Sequence, residues 1–224
     1  MAKHLQRELE RMKKRILSLG ALVEERVRMA LKAIETRDGA VAEEIIKMDY
    51  EIDELEVEVE EECLKILALH QPVAVDLRFL VAVIKINNDL ERIGDEAVNI
   101  AKCVRYMAQK QRLDVPFEYS VMGEQAEAML KMSLDALVNL DLDLAFRVLT
   151  QDDVVDEKFG EIYDQVKARI LEDPKRVGSL INLFLVARYL ERIADHATNV
   201  AEEVIYMIEG EIIRHGKWES PPPR

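Results

Sequence analysis

Pairs of carboxylates spaced four residues apart are the feature of this sequence that could bind a cation. Two similar stretches, residues 90–99 and 190–199, each contain a Glu, an Asp four residues later and an Asn four residues after that. Residues four apart in an α-helix lie on one face, about 5–6 Å from each other. Core packing explains the Leu, Ile and Ala that recur in both stretches, but not the polar residues. These polar residues are Glu91, Asp95 and Asn99 in the first stretch and Glu191, Asp195 and Asn199 in the second.

A second pair of carboxylates with the same spacing precedes each stretch. Hard or borderline cations prefer several carboxylate oxygens, completed by amides and water. Four carboxylates within reach of each other would therefore suit one or more Fe, Mn, Mg or Ca ions. The repetition in both halves of the chain favours this interpretation. The additional residues are Asp49 and Asp53 in the first half and Asp152 and Asp156 in the second.

The alternative interpretation is that these acids only solvate the faces of their helices. Lys47 and Arg92 lie close to them in sequence and could form ordinary ion pairs. Arg192 is likewise interpreted as a partner of neighbouring carboxylates, and His196 as a packing or surface histidine. The spacing leaves open whether the two acidic pairs of each half face each other.

The apolar residues predict an all-α protein. The chain contains only 8 glycines and 6 prolines in 224 residues, and it is rich in Ala, Leu, Glu, Arg and Lys, which favour helices. Apolar residues recur every three or four positions, which is the periodicity of helices with one buried face. We therefore predict six main helices, separated by breaks near Asp38, His70, Gln111, Asp141 and Asp173.

The second half of the chain repeats the first. Eight residues between positions 29 and 54 recur 103 positions later, and the stretch at 90–99 recurs after 100 positions. Helices joined by short breaks pack as antiparallel neighbours. The duplication therefore predicts two tandem three-helix bundles, one in residues 1–110 and one in residues 111–224.

The charge and the composition argue against several classes of function. A formal net charge of −13 repels phosphate backbones, so we expect no nucleic-acid binding. The N-terminus is too polar for a signal peptide, and no apolar run reaches the ~20 residues of a spanning helix. Cys63 and Cys103 form no Cys-x-x-Cys pair, which fits a reducing compartment. We expect a soluble, cytoplasmic protein without direct membrane insertion.

The sequence also lacks the common motifs of catalysis. It has no Gly-rich phosphate loop, no nucleophile elbow and no Ser-His-Asp arrangement. A ferritin-like di-iron centre needs Glu-x-x-His on two helices, and this motif does not occur. We therefore expect no enzymatic activity, no catalytic residues and no organic cofactor.

The doubled motif resembles a known family. Two copies of Glu-Arg-Ile-(Gly/Ala)-Asp-x-Ala-x-Asn-(Ile/Val)-Ala, each ending a three-helix unit of an acidic chain, are similar to the PhoU family. Its members are accessory proteins of the phosphate-specific transport system in bacteria and archaea. The resemblance extends from about Leu5 to Glu209, and Arg78 and Phe79 at the start of the third helix also fit it. The second half has Pro174 but no matching Asp-Leu-Arg-Phe.

This resemblance implies a fold and a set of metal ligands. Members of the family consist of two three-helix bundles in tandem, and some bind metal, including multinuclear iron, through their acidic motifs. Iron is the implied preference here, although the metal varies within the family. The implied ligands are Asp49, Asp53, Glu91 and Asp95 in one half and Asp152, Asp156, Glu191 and Asp195 in the other, supported by Asn99 and Asn199.

The resemblance also implies partners. Members of the family commonly form homodimers and act as negative regulators of the phosphate-starvation response. They are thought to link the ATPase subunit of the phosphate importer to a membrane-bound sensor histidine kinase. The alternative is a helical protein that stores or senses metal. Binding to the ATPase or the kinase would distinguish an adaptor from such a protein.

Overall fold

The described part of the chain folds into α-helices. A computed structural model describes residues 2–110 and 119–213, so the predicted break at Gln111 lies outside the described residues. Within these two ranges there is no strand, and no helix is long and apolar enough to cross a membrane. The helices are α1 (Ala2–Thr36), α2 (Gly39–Lys47), α3 (Tyr50–His70), α4 (Ala74–Ala108), α5 (Tyr119–Asn139), α6 (Leu142–Glu172) and α7 (Val177–Glu209), with a 3₁₀ turn at Pro174–Arg176.

The structure divides the second predicted helix into α2 and α3. The N–H group of Met48 still donates to the carbonyls of Glu44 and Ile45, but Met48 leaves the helical conformation with φ −92° and ψ 4°. The equivalent part of the second half, around Asp152, continues without interruption in α6. If α2 and α3 are counted as one interrupted helix, the described residues contain the six predicted helices. Asp49 consequently lies at a turn, whereas Asp152 lies inside a helix.

Two aspartates start corresponding helices in the two halves. The side chain of Asp38 accepts hydrogen bonds from the N–H groups of Ala40 and Val41 at 2.8 and 3.2 Å. Asp141, which lies 103 positions later, accepts one from the N–H group of Leu144 at 3.0 Å. A carboxylate at this position satisfies N–H groups that have no partner within the helix. The predicted breaks at both aspartates are confirmed.

The long helices α4 and α7 form the centre of the molecule. Helices α1, α2 and α3 pack against α4, helices α5 and α6 pack against α7, and α4 packs along α7. The residues that the duplication aligns are buried in the same way, as with Ile93 and Ile193, which are both inaccessible to solvent. One hydrophobic core therefore extends through both three-helix units. The proposed boundary near residue 110 stays a prediction, because residues 111–118 lie outside the described ranges.

Helices α1 and α5 approach each other through two equivalent glycines. A Cβ atom on Gly20 of α1 would lie 2.7 Å from Cδ2 of Leu134 on α5. A Cβ atom on Gly123 of α5 would lie even closer to Cδ2 of Leu31 on α1. Gly20 and Gly123, like Leu31 and Leu134, are 103 positions apart. The duplicated sequence thus produces a reciprocal contact that holds the two halves together.

We expect Gly123→Val to lower the free energy of unfolding by about 2 kcal/mol, because the branched side chain would overpack the contact with Leu31. Chemical denaturation monitored by circular dichroism measures the change. Gly160→Ala is the matched control, because no atom lies within 4 Å of a Cβ at this helical position. It should raise the free energy of unfolding by about 0.5–1 kcal/mol through helix propensity. Equal stability of the Gly123→Val variant and the wild type would contradict the close approach of α1 and α5.

Candidate metal centres

The first candidate centre lies where the α2–α3 turn and α3 face α4. It consists of Asp49, Asp53, Glu91 and Asp95, which we call the first acidic cluster. Burial raises the pKa of Asp49, and repulsion by Asp53 and Asp95 raises it further. Burial also raises the pKa of Glu91, with additional repulsion by Asp95 and Asp53. Carboxylates from the two acidic pairs therefore lie close enough to interact, which the sequence had left open.

The second candidate centre lies between α6 and α7. It consists of Asp152, Asp156, Glu191 and Asp195, which we call the second acidic cluster. Burial, together with repulsion by Asp195 and Asp156, raises the pKa of Asp152 to about 6. Burial and then repulsion by Asp195 raise the pKa of Glu191 to about 7. The pKa of Asp195 is raised mainly by burial and next by Asp156. The second half thus brings the two acidic pairs together as the first half does.

The carboxylates of the second acidic cluster fit a cation chemically. Glu191 is only 8% exposed, and its Oε2 atom is buried without a hydrogen-bond partner. A buried carboxylate oxygen without a partner is costly, and a cation would satisfy it. The donor set consists of oxygens alone, which is the set that hard cations prefer.

A bound cation would have to draw the side chains of either cluster together. In the part of the chain that the structure describes, no group of three or more His, Cys, Asp or Glu residues is arranged so that it could hold a metal ion as it stands. Mutual repulsion keeps like-charged carboxylates apart, and a cation would remove that repulsion. The assignment of the eight carboxylates as metal ligands stays a prediction.

The two supporting asparagines contact other carboxylates. Nδ2 of Asn99 donates to Oε2 of Glu96 at 3.3 Å, and Nδ2 of Asn199 donates to Oδ1 of Asp89 at 3.0 Å. Oδ1 of Asn99 accepts from Nζ of Lys102 at 3.5 Å. The amide nitrogens of both residues are therefore engaged outside the two acidic clusters. Their supporting role at a metal site also stays a prediction.

Polar pairs between α4 and α7 are the residues that sequence reasoning missed. Nδ1 of His196 lies 2.9 Å from Oδ1 of Asp89, and Nη1 of Arg192 lies 2.9 Å from Oε1 of Glu96. Glu96 is only 2% exposed, and the guanidinium of Arg192 is the opposite charge beside it. Arg192 does pair with a carboxylate, as expected, but with one from the opposite half. The only signal of these pairs in the sequence is that the two halves differ at one aligned position, where the first has Glu96 and the second has His196.

The comparison with known families covers both halves. The family model described as PhoU domain matches the chain twice, at residues 16–104 and 119–204. The chain belongs to the PhoU family. Each of the two PhoU matches contains one of the acidic clusters, and the resemblance inferred from the doubled motif is confirmed.

Relatives in this family match nearly the whole chain. A phosphate-specific transport system accessory protein PhoU homolog from Aquifex aeolicus is 40% identical over 209 residues, 93% of this chain and 95% of that protein. A protein of the same name from Clostridium acetobutylicum is 38% identical over 204 residues, 91% of this chain and 93% of its own length. The crystal structure of PhoU from Pseudomonas aeruginosa has a TM-score of 0.89 at 35% identity, covering 92% of this chain and 99% of that one. The predicted fold class is confirmed.

Proposed function

We propose that this chain is a regulatory accessory protein of phosphate uptake and phosphate homeostasis. The observation that supports the proposal is the similarity along 93% of the chain, at 40% identity, to a phosphate-specific transport system accessory protein PhoU homolog. The chain acts by binding partners in the cytoplasm and catalyses no reaction. The absence of catalytic motifs from the sequence favours this over an enzymatic role.

In this role the chain is a homodimeric negative regulator of the phosphate-starvation response. It connects the ATPase subunit of the phosphate importer with a sensor histidine kinase. The net charge of −13 supports docking to basic partner surfaces, because opposite charge accelerates encounter. The turn between α3 and α4 adds apolar contact area, since Leu69, Val73 and Val75 are 67%, 74% and 59% exposed.

Each acidic cluster binds a divalent or trivalent cation, with iron preferred. The unpartnered Oε2 of Glu191 and the raised pKa values of Asp152 and Glu191 support this role, since each would be relieved by a positive charge. The second candidate function, a metal store or sensor, is favoured by the same two clusters. Metal binding is common to both functions, so only partner binding separates them.

Deletion of the gene should leave phosphate-starvation genes expressed in phosphate-rich medium, because the repressing contact is lost. Expression of the wild type should restore repression. A variant with exposed acids of α3 and α6 reversed in charge should not restore it, since it would repel the partners. The changes are Glu54→Lys, Glu61→Lys and Glu157→Lys. A transcriptional reporter measures repression, and a pull-down with the ATPase and the kinase at low and high salt measures binding.

The matched control reverses the same number of exposed acids on α1, through Glu10→Lys, Glu25→Lys and Glu35→Lys. It has the same net charge and should restore repression. The proposed docking face consists of the exposed acids of α3 and α6 and the α3–α4 turn, and α1 contributes none of these residues. Circular dichroism verifies that both variants fold. The adaptor function is wrong if the deletion strain represses normally and the purified protein binds neither partner at low salt.

A further inference from the structure

The two acidic clusters differ at three positions that the duplication aligns. Residues of α3 and α6 correspond at an offset of 103, and residues of α4 and α7 correspond at an offset of 100. In the first half these positions are polar or acidic, whereas the second half has an aromatic, a small and a basic residue. The aligned pairs are Glu56 with Phe159, Asn87 with Ala187 and Asn88 with Arg188.

The first acidic cluster has a fifth carboxylate next to it. Nδ2 of Asn87 donates to Oε1 of Glu56 at 3.1 Å and to its backbone carbonyl at 2.9 Å. Asn87 is completely buried, so it holds Glu56 from the core side. The Glu56 carboxylate lies close enough to Glu91 to contribute to the rise in its pKa. Glu56 therefore adds a negative charge beside the first cluster, as Asp153 does beside Asp152 in the second cluster, but the position aligned with Glu56 is Phe159.

The second acidic cluster instead has a cation of its own. Nη1 of Arg188 lies 2.5 Å from Oε1 of Glu191, while Oε2 of the same carboxylate has no partner. The guanidinium carbon of Arg188 lies 5.7 Å from the ring centroid of Phe159, which in turn packs 5.5 Å from the ring of Phe184. An arginine on an aromatic ring is attracted to its face, and it does not lose its proton in proteins. Arg188 is thus a permanent positive charge at this carboxylate.

We propose that Arg188 competes with metal ions for the second acidic cluster, whereas Glu56 strengthens cation binding at the first. This inference rests on the proposed metal binding of the two clusters. A cation that binds Oε2 of Glu191 must lie beside the guanidinium charge, and one that binds both oxygens of Glu191 must also displace the guanidinium from Oε1. At the first cluster the aligned residue is Asn88, which is uncharged and accepts a hydrogen bond from Arg92. The first cluster therefore binds cations more tightly than the second.

Basic residues near the first cluster do not cancel this difference. Lys102 lowers the pKa of Asp49, but it is the smallest of the causes that act on that group. Lys102 and Arg92 are exposed, as Arg188 is, but Arg92 donates to Asn88 and Lys102 to Asn99, whereas Arg188 is bonded to a carboxylate of its own cluster. Arg92 has its counterpart in Arg192, which pairs with Glu96.

Titration with Mn²⁺ in proteins with one remaining site tests the inference. Asp49→Asn with Asp53→Asn leaves only the second cluster, and Asp152→Asn with Asp156→Asn leaves only the first. Calorimetry and the electron paramagnetic resonance of free Mn²⁺ give each dissociation constant. The titration is done at pH 8, because the Glu191 carboxyl has a pKa of about 7 and is then mostly charged.

In the protein that retains only the second cluster, Arg188→Asn should lower the dissociation constant for Mn²⁺ about tenfold, since a charge-assisted hydrogen bond no longer has to be broken. Arg188→Gln should act in the same way. Arg169→Asn is the matched control, because Arg169 forms the same type of pair with Glu172, three residues away, and lies outside the cluster. This control should leave the dissociation constant unchanged.

In the protein that retains only the first cluster, Glu56→Gln should raise the dissociation constant about tenfold, because one carboxylate charge is lost while Asn87 keeps an acceptor. An unchanged or weaker affinity after both substitutions of Arg188 would overturn the competition. Equal affinities of the two single-site proteins would overturn the difference between the clusters. If neither single-site protein binds Mn²⁺, the proposed metal binding fails, and this inference fails with it.

Discussion

Replacement of all eight cluster carboxylates by their amides is expected to abolish binding of Mn²⁺ and iron. Asn and Gln keep the size of each side chain but remove the negative charge that compensates the cation. Loss of two charged ligands alone should weaken binding by at least about 100-fold, if each contributes about 1.5 kcal/mol. Elemental analysis after dialysis measures the metal that each protein retains. The positions are Asp49, Asp53, Glu91, Asp95, Asp152, Asp156, Glu191 and Asp195.

Partial variants show whether the two clusters act independently. Glu91→Gln with Asp95→Asn should remove the metal of the first cluster and leave that of the second. A control with Glu54→Gln and Glu61→Gln loses the same charge from exposed positions of α3 and should retain both metals. Equal metal content in the wild type and in the variant with all eight substitutions would refute the metal sites.

The metal-free protein is expected to lose stability as the pH rises from about 4 to 7, because Asp152 and Glu191 must then carry charges that burial and, next, mutual repulsion in the second acidic cluster disfavour. In the folded protein burial and repulsion raise the pKa of Asp152 to about 6 and that of Glu191 to about 7, from ordinary values of 3.8 and 4.5. A raised carboxyl pKa means that the folded state binds the proton more tightly than the unfolded state does. The stabilising contribution is therefore complete below about pH 4 and is lost as the pH passes through these two raised pKa values.

A variant with amides at all four positions of the second acidic cluster isolates this effect. At pH 7.5 in the presence of a chelator, it should be more stable than the wild type by about 3 kcal/mol, after a discount for solvent screening and for the lost ion pair with Arg188. At pH 4 the difference should be much smaller, since the carboxyls of Asp152 and Glu191 are then protonated. Urea unfolding at a series of pH values measures the difference.

Saturation with Mn²⁺ should reverse the order of stability at pH 7.5. A cation at 1,000 times its dissociation constant stabilises the folded state by about 4.1 kcal/mol, which exceeds the advantage of the variant, and only the wild type retains the second site. A variant with four exposed acids changed to amides, at Glu54, Glu61, Glu157 and Asp164, is the control, and its stability difference from the wild type should not change with pH. If the variant with four amides in the second acidic cluster differs from the wild type by the same free energy of unfolding at pH 4 and pH 7.5, repulsion within the cluster is contradicted.

Features that depend on neighbouring residues could be predicted from the sequence. The breaks at Asp38 and Asp141, the apolar faces of the helices and the acidic pairs at four-residue spacing all involve residues within one or two helical turns. Helical hydrogen bonds and caps connect residues that are three or four apart, so their pattern is visible along the chain. The duplication also showed which residues of the two halves correspond, and it therefore predicted two similar sets of acidic residues.

Other features depend on how the helices cross. His196 meets Asp89 across 107 positions, and Lys85 meets Glu203 across 118. These contacts depend on the register of α4 against α7, which the packing of the whole core decides. The turn between α2 and α3 at Met48 has no counterpart in α6, although the sequences around the two positions are similar.

The sequence by itself determined the helices, their caps and the carboxylates that share a helical face. Only the tertiary structure decided which faces meet: that the two acidic pairs of each half interact, that Asn87 holds Glu56 beside the first cluster, and that Arg188 of α7 lies over the ring of Phe159 of α6 in the second. The physical reason is one of range. Hydrogen bonds within a helix act over one turn of the chain, whereas the position of a charge between two helices follows from the close packing of many side chains, which admits one register.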